Sequence, residues 1–234
     1  MAPQLLRGEE LEKLKPPPAV ENLYRERVSR LKLEEKELLE LISFLLRPMT
    51  VKEIEMMLNK KLSQFIGSLE NLRRAGLVTV TTPLENVEVS NRALALNLLE
   101  HLEPAIKKEW HQKIAQGLEK LGGNIDEIAY HMAAGGVIEQ ARRFYIQAAE
   151  EYQKKNQFGV AARRYARAIA LMKEGSAEWI DLSEETVHLS ILAGDYQKAE
   201  TVLEQLKNHS AYKTDHLRGW LAFKKRDFPV AKKF

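Results

Sequence analysis

Hydrophobic residues recur at steps of three and four through most of the chain, and this periodicity predicts helices. No proline occurs between Pro104 and Pro229. Because proline inside a helix costs about 3 kcal/mol, this long stretch can form a continuous set of helices. Residues 77–89 differ, since apolar and polar side chains alternate there and predict a β-hairpin. We therefore predict a mainly α fold that contains one small β-hairpin.

The first hundred residues predict a series of helices that ends in the hairpin. Thr50 and Glu53 have the spacing of a capping box, and Gly76 lies where a helix end favours a left-handed residue. Helix, short turn, helix and hairpin is the order of a winged-helix domain, which we place at residues 19–100. Two of its helices have predicted apolar stripes, formed by Val20, Leu23, Tyr24, Val28 and Leu31, and by Leu62, Phe65, Ile66, Leu69 and Leu72.

The outward face of the last predicted helix before the hairpin is the place to look for DNA contacts. Base reading and phosphate binding need polar or basic side chains on such a face. Only Arg74 is a strong candidate, and the predicted hairpin tip, residues 82–86, contains no Lys or Arg. DNA binding is therefore the alternative interpretation, with candidate residues Lys60, Lys61, Gln64, Ser68, Asn71 and Arg74.

Residues 101–234 predict helical repeats. A long helix opens with Pro104 and stops at Gly122-Gly123, with a predicted buried stripe of Ile106, Trp110, Ile114, Leu118 and Leu121. A bulky residue followed three positions later by alanine then recurs at Ile138–Ala141, Phe158–Ala161, Tyr196–Ala199 and Phe228–Ala231. Small and large residues in alternation let paired helices pack closely. The alanine spacings of 38 and 32 indicate tetratricopeptide-type (TPR-like) helix pairs, whereas the first spacing of 20 predicts a short or irregular unit.

The order of these motifs resembles the region that follows the nucleotide-binding module in signal-transduction ATPases with numerous domains (STAND). That class includes the maltose-regulon activator type and ATPases fused to serine/threonine kinases. The resemblance is carried by residues 17–23 with Leu31 and 37–39, then His111, Ile114 and Ala115, then Ile128, Ala129 and His131, then Ala141, Tyr145 and Ala148. The sequence has no Gly-x4-Gly-Lys-Ser/Thr loop, so the resemblance implies a regulatory region without the upstream nucleotide-binding module.

Composition narrows the functional classes further. The 234 residues include no cysteine, which excludes disulfides, thiolate metal sites and a cysteine nucleophile. The net charge of +3 is too small to indicate nucleic acid, and no apolar run is long enough to cross a membrane. We expect a cytoplasmic protein without membrane contact. We also expect a piece of a longer polypeptide, with residues 1–18 as a linker remnant and a truncated C-terminus.

No group of residues predicts catalysis. The six histidines never have a His-x3-His spacing, and we expect His111 and His131 to pack against neighbouring helices. Adjacent helical residues point about 100° apart, so Glu34-Glu35 and Glu184-Glu185 do not form acid–base pairs. We therefore expect no enzyme activity, no cofactor and no metal.

Charge is distributed unevenly in the repeats. Residues 141–173 contain eight basic and two acidic residues, whereas residues 176–206 contain one basic and seven acidic residues. Two explanations fit this pattern. Either neighbouring repeats pack through sides of opposite charge, or the repeats form a polarised groove that selects a charged partner.

Our main hypothesis is a non-catalytic regulatory protein whose repeats bind a protein or a small inducer. Binding would be coupled through the winged helix to a nucleotide switch in the missing module. The alternative is a sequence-specific winged-helix transcription factor in which the repeats serve dimerisation or an effector.

Overall fold

The computed structural model describes the backbone of residues 18–81, 85–207, 209 and 211–233. These residues form two compact units. The first unit contains the described residues up to Glu127 together with Ala134–Gly136, and the second contains Ile128–Ala133 and the described residues from Val137 onward. The predicted linker 1–18 lies, apart from Pro18, outside the described residues. The predicted domain bounds 19–100 and 101–234 stay predictions.

The first unit is built from helices around a small sheet. Its helices α1 to α6 are Pro18–Ser29, Leu33–Leu45, Val51–Leu58, Leu62–Arg74, Arg92–Glu100 and Pro104–Lys120. Helix α2 is central, because it packs against α4, α5, α6 and a strand of the sheet. Its apolar residues nearly surround it, and Leu38, Leu39, Leu41 and Ile42 are all buried.

Three short strands form an antiparallel sheet in the order β1-β3-β2. Strands β2 and β3 are Val78–Val80 and Asn86–Val89, the two strands of the predicted hairpin. Strand β1, Met49–Thr50, was not predicted and pairs with β3 through Met49 opposite Val87. Thr50 then caps α3 in the predicted capping box with Glu53. The predicted hairpin tip lies partly outside the described residues, because nothing is described at residues 82–84.

Three predicted core positions are wrong. Leu23 is 49% exposed, Ile66 is 38% exposed and Ile106 is 41% exposed. Each lies on a helix that also has buried apolar residues, for example Phe65 beside Ile66 and Trp110 one turn after Ile106. Helical periodicity places all of these residues near one stripe, but the edge of the stripe is covered only where a neighbouring element packs against it.

The remaining helices lead into and form the second unit. Helix α7, Ile125–Ala134, contributes residues to both units. Helices α8 to α13 are Ile138–Lys154, Phe158–Ile169, Ala177–Leu192, Tyr196–Leu206, Ala211–Lys224 and Phe228–Ala231. They form antiparallel pairs joined by short turns, and Pro229 lies in the first turn of α13 as predicted. No helix among the described residues is both long enough and apolar enough to span a membrane.

One turn conformation recurs before every copy of the bulky-residue–alanine motif. The residue two positions before the bulky one has a positive φ: 77° at Gly136, 57° at Asn156, 75° at Gly194 and 62° at Arg226. The next backbone N–H donates to the carbonyl five residues earlier in each turn, at 2.8–2.9 Å, from Val137, Gln157, Asp195 and Asp227. The sequence alone predicts a turn before two of these copies, at Gly194-Asp195 and at Arg226-Asp227. The same local geometry therefore reverses the chain four times.

The motif alanines form the contacts between paired helices. Ala141, Ala161 and Ala199 are 0% exposed, and the larger residue four positions later in each copy is buried as well. Ala161 and Tyr165 of α9 pack with Ala149 of α8 in one apolar cluster. The spacing of 20 is explained by the fold, because the first two motif copies open the consecutive helices α8 and α9, whereas later copies open alternate helices. The described helices thus agree with a TPR-like arrangement of helix pairs.

Candidate interaction surfaces

The start of α4 places the first of the predicted DNA-binding residues. The backbone N–H of Lys61 donates to Oε1 of Gln64 at 2.7 Å, so the Gln64 side chain caps the helix. Lys60 lies in the preceding turn, and its Nζ donates to Oε2 of Glu37 at 2.9 Å. The side chains of Lys60 and Gln64 are therefore already used in contacts within the protein.

The outward side of α4 carries the other candidates. Asn71 donates from Nδ2 to Oε1 of Glu35 at 2.7 Å, and the backbone N–H of Lys32 donates to the same carboxylate. These two hydrogen bonds lower the pKa of Glu35. Ser68 is half-buried and Arg74 is exposed. DNA binding by these residues stays a prediction.

A network of ionic hydrogen bonds surrounds Arg47, between α2 and β1. Its Nε and Nη2 donate to the two oxygens of Glu127, both at 2.9 Å, and Nη2 also donates to Glu53 at 2.8 Å. Glu127 lies in the first turn of α7, where the helix dipole stabilises a negative charge. Burial raises the pKa of Glu53, but hydrogen bonds from Arg47 and Thr50 outweigh this effect, and the net shift is downward. Sequence reasoning missed this network, because Arg47 and Glu127 are 80 residues apart.

A second buried polar contact joins α2 to α6. Nε1 of Trp110 donates to Oε2 of Glu40 at 3.0 Å. Beside it, the ring of His111 meets Phe44 edge to face at a centroid distance of 5.0 Å. Burial lowers the pKa of His111 to about 4, so its ring is neutral near pH 7. These contacts fit the predicted packing role of His111.

Among the described residues, no group of three or more His, Asp and Glu side chains could hold a metal ion. The two members of the first acid pair differ in their surroundings, since Glu34 is exposed, whereas Glu35 is buried and hydrogen-bonded. In the second unit, Glu185 accepts from Nε2 of Gln153 at 2.8 Å, which fixes it between α10 and α8. Glu35 and Glu185 are thus held by hydrogen bonds within the protein.

A strip of exposed and half-buried aromatic and aliphatic residues runs across the first helices of two pairs, α10 and α12. The rings of His188 and Trp220 stack with centroids 5.0 Å apart and planes inclined by 28°. One turn further along the two helices, Leu192 is 42% exposed and Phe223 is 57% exposed. We call these four residues the first-helix face. The sequence alone does not predict the first-helix face, because α10 and α12 are separated in sequence by α11 and come together only in the folded chain.

No protein-family model and no curated protein matches the chain. A solved structure similar to it is a Signal Transduction ATPase with Numerous Domains (STAND) protein with a tetratricopeptide repeat sensor from Pyrococcus horikoshii. The TM-score is 0.45 at 16% sequence identity, over 99% of this chain and 43% of that chain. This chain therefore spans less than half the length of that protein, and likeness at this level assigns neither a family nor a function.

Proposed function

We propose that this chain is a non-catalytic regulatory protein that binds a partner through its helical repeats. The observation that carries the proposal is the first-helix face, in which His188 and Trp220 stack across α10 and α12 and Leu192 and Phe223 are exposed beside them. Helical repeats present extended surfaces of this kind to protein segments. Within this proposal, the repeats serve as the sensor of a STAND-class protein whose nucleotide-binding module is a separate region.

A winged-helix domain in the first unit is part of the proposal. Helix α3, a short turn, α4 and the β2–β3 hairpin follow one another, and β1 adds the third strand of the sheet. This is the element order of a winged helix. The STAND assignment rests on the order of sequence motifs around His111, His131 and Ala141, which the fold places on α6, α7 and α8.

The chemistry of the first-helix face favours a peptide that has an apolar anchor and basic residues. Leu192 and Phe223 offer apolar contact area at one end of the strip. Asp181 and Glu185 precede His188 on α10 at helical spacing, so the other end of α10 is acidic. Charge complementarity therefore selects a basic segment, and the exposed apolar residues supply most of the contact energy.

The test is a selection of peptides from a random display library against the full chain. We expect enrichment of peptides with an apolar residue and Lys or Arg. Fluorescence anisotropy of an enriched peptide should give an affinity that His188→Ala weakens about tenfold, since stacked aromatic residues are common binding hot spots. His101→Ala, an exposed histidine change in the first unit, is the matched control and should leave the affinity unchanged.

Two results would overturn the proposed function. One is a set of enriched basic peptides that binds His188→Ala and the control variant equally well. The other is catalysis or micromolar affinity for Mg-ATP measured by calorimetry on this chain, since a regulatory region without a phosphate-binding loop should bind no ATP.

DNA binding remains the second candidate, and the exposed Arg74 is the residue that favours it. Reading DNA with the α4 face would require Lys60 and Asn71 to exchange their carboxylate partners for phosphates or bases. A gel shift with random duplex DNA at low salt tests this candidate. We expect no shift; a salt-dependent shift that Arg74→Ala abolishes would favour DNA binding instead.

A further inference from the structure

A second surface in the repeats lies between the second helices of two pairs, α9 and α11. A groove of about 660 Å³ is formed there by residues of α9, the start of α10 and α11. Its base is apolar, and Trp179 closes it from below with only 4% of its surface exposed. We call it the second-helix groove; its lining includes Ala166, Ile169, Ala170, Met172, Trp179, Lys198, Thr201, Val202 and Gln205.

Cations without carboxylate partners gather at one end of this groove. Arg163 lies three residues before Ala166 on the same side of α9, and Arg167 follows Ala166 directly, at the edge of that side. Within the part of the chain that the structure describes, Arg163 has no hydrogen bond and no ion pair. The guanidinium of Arg167 lies 5.7 Å from the centroid of the Tyr145 ring, a contact that holds the charge in place without neutralising it.

Lys198 of α11 adds a third cation and lies within the groove lining itself. Burial lowers its pKa to about 8, and the neighbouring Arg163, Arg164 and Arg167 lower it too, against an opposing effect of Asp195. A Cβ at Gly159 of α9 would lie within 4 Å of both Nη1 of Arg163 and the side chain of Ala193, which precedes the turn into α11. The guanidinium of Arg163 therefore lies near the start of α11, where an anion would be attracted to both Arg163 and Lys198.

The acidic residues of the lining keep their negative charges in their contacts. Asp195 accepts from the backbone N–H of Lys198 at 3.2 Å and so caps α11. Glu174 lies 3.3 Å from Nε2 of His209. At the Lys198 end, the three positive charges of Arg163, Arg167 and Lys198 face the one negative charge of Asp195, so positive charge is in excess there.

Polar side chains along α11 provide a row of hydrogen-bonding groups. Gln197, Thr201 and Gln205 are four residues apart, so the row is about 12 Å long. The amide groups of Gln197 and Gln205 have no partner among the described residues. A row of this length matches about four residues of an extended peptide, whose backbone groups pair with side-chain amides.

From this juxtaposition of an apolar base, a row of unused amides and a cationic end, we propose that the second-helix groove binds an acidic peptide segment in extended form. Acidic side chains of the peptide would contact Arg163, Arg167 and Lys198, and an apolar side chain would lie over Ala166 and Ala170. The groove is distinct from the first-helix face, which selects basic segments. One repeat region would thus recognise two segments of opposite charge.

The test uses the full chain and a library of labelled octapeptides with Asp or Glu at alternate positions. The same library with Asn and Gln in place of the acids is the control for charge. We expect acidic peptides to bind in fluorescence anisotropy and the amide library to bind at least about tenfold more weakly, a loss that several charge-assisted hydrogen bonds readily account for. Absence of binding by any acidic peptide would overturn the proposal.

Two double variants that change the net charge equally distinguish peptide binding in this groove from general electrostatic attraction to the protein. Arg163→Glu with Arg167→Glu should weaken binding at least about tenfold, whereas Lys154→Glu with Lys155→Glu should change it less than about threefold. Ala166→Leu, which fills the groove without changing charge, should also weaken binding. Equal losses in the two charge variants, or no effect of Ala166→Leu, would contradict a groove site. Peptides that depend on His188 rather than on Arg163 would belong to the first-helix face and would also overturn the proposal.

The pH dependence of peptide binding tests the role of Lys198, because a purely structural role of this residue would not make the affinity follow its charge. With a pKa of about 8, the charged fraction of Lys198 falls from about nine-tenths at pH 7 to about one-tenth at pH 9. Binding should therefore weaken severalfold over this range. Lys198→Arg should keep the affinity at pH 7 and remove most of the pH dependence; an unchanged pH profile in this variant would count against contact with Lys198.

Discussion

Arg47 in the first unit and Arg142 in the second each bind two carboxylates, but in different surroundings. The partners of Arg47 are buried, with the Glu127 side chain 6% exposed and Glu53 15% exposed. The partners of Arg142 are open to water, with Glu139 71% exposed and Glu178 52% exposed. A buried carboxylate depends on its cation, whereas an exposed carboxylate is stabilised by solvent.

The two units accordingly rely on different interactions at their helix junctions. In the first unit, buried ionic and polar contacts join elements far apart in sequence, as between Arg47 and Glu127 or between Glu40 and Trp110. In the second unit, a repeated turn and a buried alanine bring consecutive helices together. The first arrangement is specific to one place, whereas the second can be repeated along the chain.

The largest expected effect concerns the buried network of the first unit. Replacing Arg47 by Met leaves the Glu127 carboxylate buried without its cation, and we expect a loss of about 3–5 kcal/mol in the free energy of unfolding. Urea denaturation followed by circular dichroism measures it. Arg47→Met combined with Glu127→Leu should recover much of this loss, because no buried charge remains. A loss below about 1 kcal/mol in the single variant would contradict the assigned role.

His111 should make the stability of the first unit depend on pH. Its folded-state pKa of about 4 is below the unfolded value of about 6.5, so unfolding takes up a proton between these pH values. The stabilisation is complete above about pH 6.5 and is lost as the pH falls to about 4, by at most about 3 kcal/mol. Denaturation of His111→Phe between pH 4 and pH 7 should show a flatter profile than the unchanged protein. If the stability of the two proteins changed with pH in the same way, this explanation would be wrong.

Substitution of one glycine in each unit by alanine compares the backbone conformations of the two units. Gly67 lies within α4, and Gly194 has a φ of 75° in the repeated turn; a Cβ at either position meets no atom within 4 Å. Gly194→Ala should therefore cost about 1–2 kcal/mol through left-handed strain alone. Gly67→Ala should instead stabilise the protein by about 0.5–1 kcal/mol, because alanine favours a helix. Thermal denaturation measures both changes. Melting temperatures that shift in the same direction in the two variants would contradict this expectation.

The smallest expected effect is that of the exposed pairs in the second unit. Arg142→Met should lower the free energy of unfolding by less than about 1 kcal/mol, since its carboxylate partners are mostly solvated. Urea denaturation alongside Arg47→Met gives the comparison directly. Similar losses in the two variants would remove the distinction between the buried and the exposed pairs.

Local signals made much of the fold predictable from sequence. The capping box of Thr50 with Glu53, the left-handed Gly76 and the helix start at Pro104 all lie where the sequence places them. Each depends on residues within one turn of the chain, so their effect does not depend on distant packing. The two-residue strand Met49–Thr50 was missed because it is too short to show an alternating pattern.

The candidate surfaces were much harder to predict, because they depend on residues distant in sequence. His188 and Trp220 stack only because α10 and α12 lie side by side, and Lys198 meets the arginines of α9 for the same reason. The repeated turn before Phe158 was hidden, since Asn156 has a positive φ where glycine is the usual signal. Charge counts indicated a polarised region but could not place the groove.

Hydrogen–deuterium exchange of the full chain, with and without a saturating peptide selected by display, tests the central claim of a repeat-based binding protein most directly. We predict slower exchange in α10 and α12, with no change in α4 or the β2–β3 hairpin. Protection confined to α4 and the hairpin, or no protection anywhere in the repeats, would contradict the account.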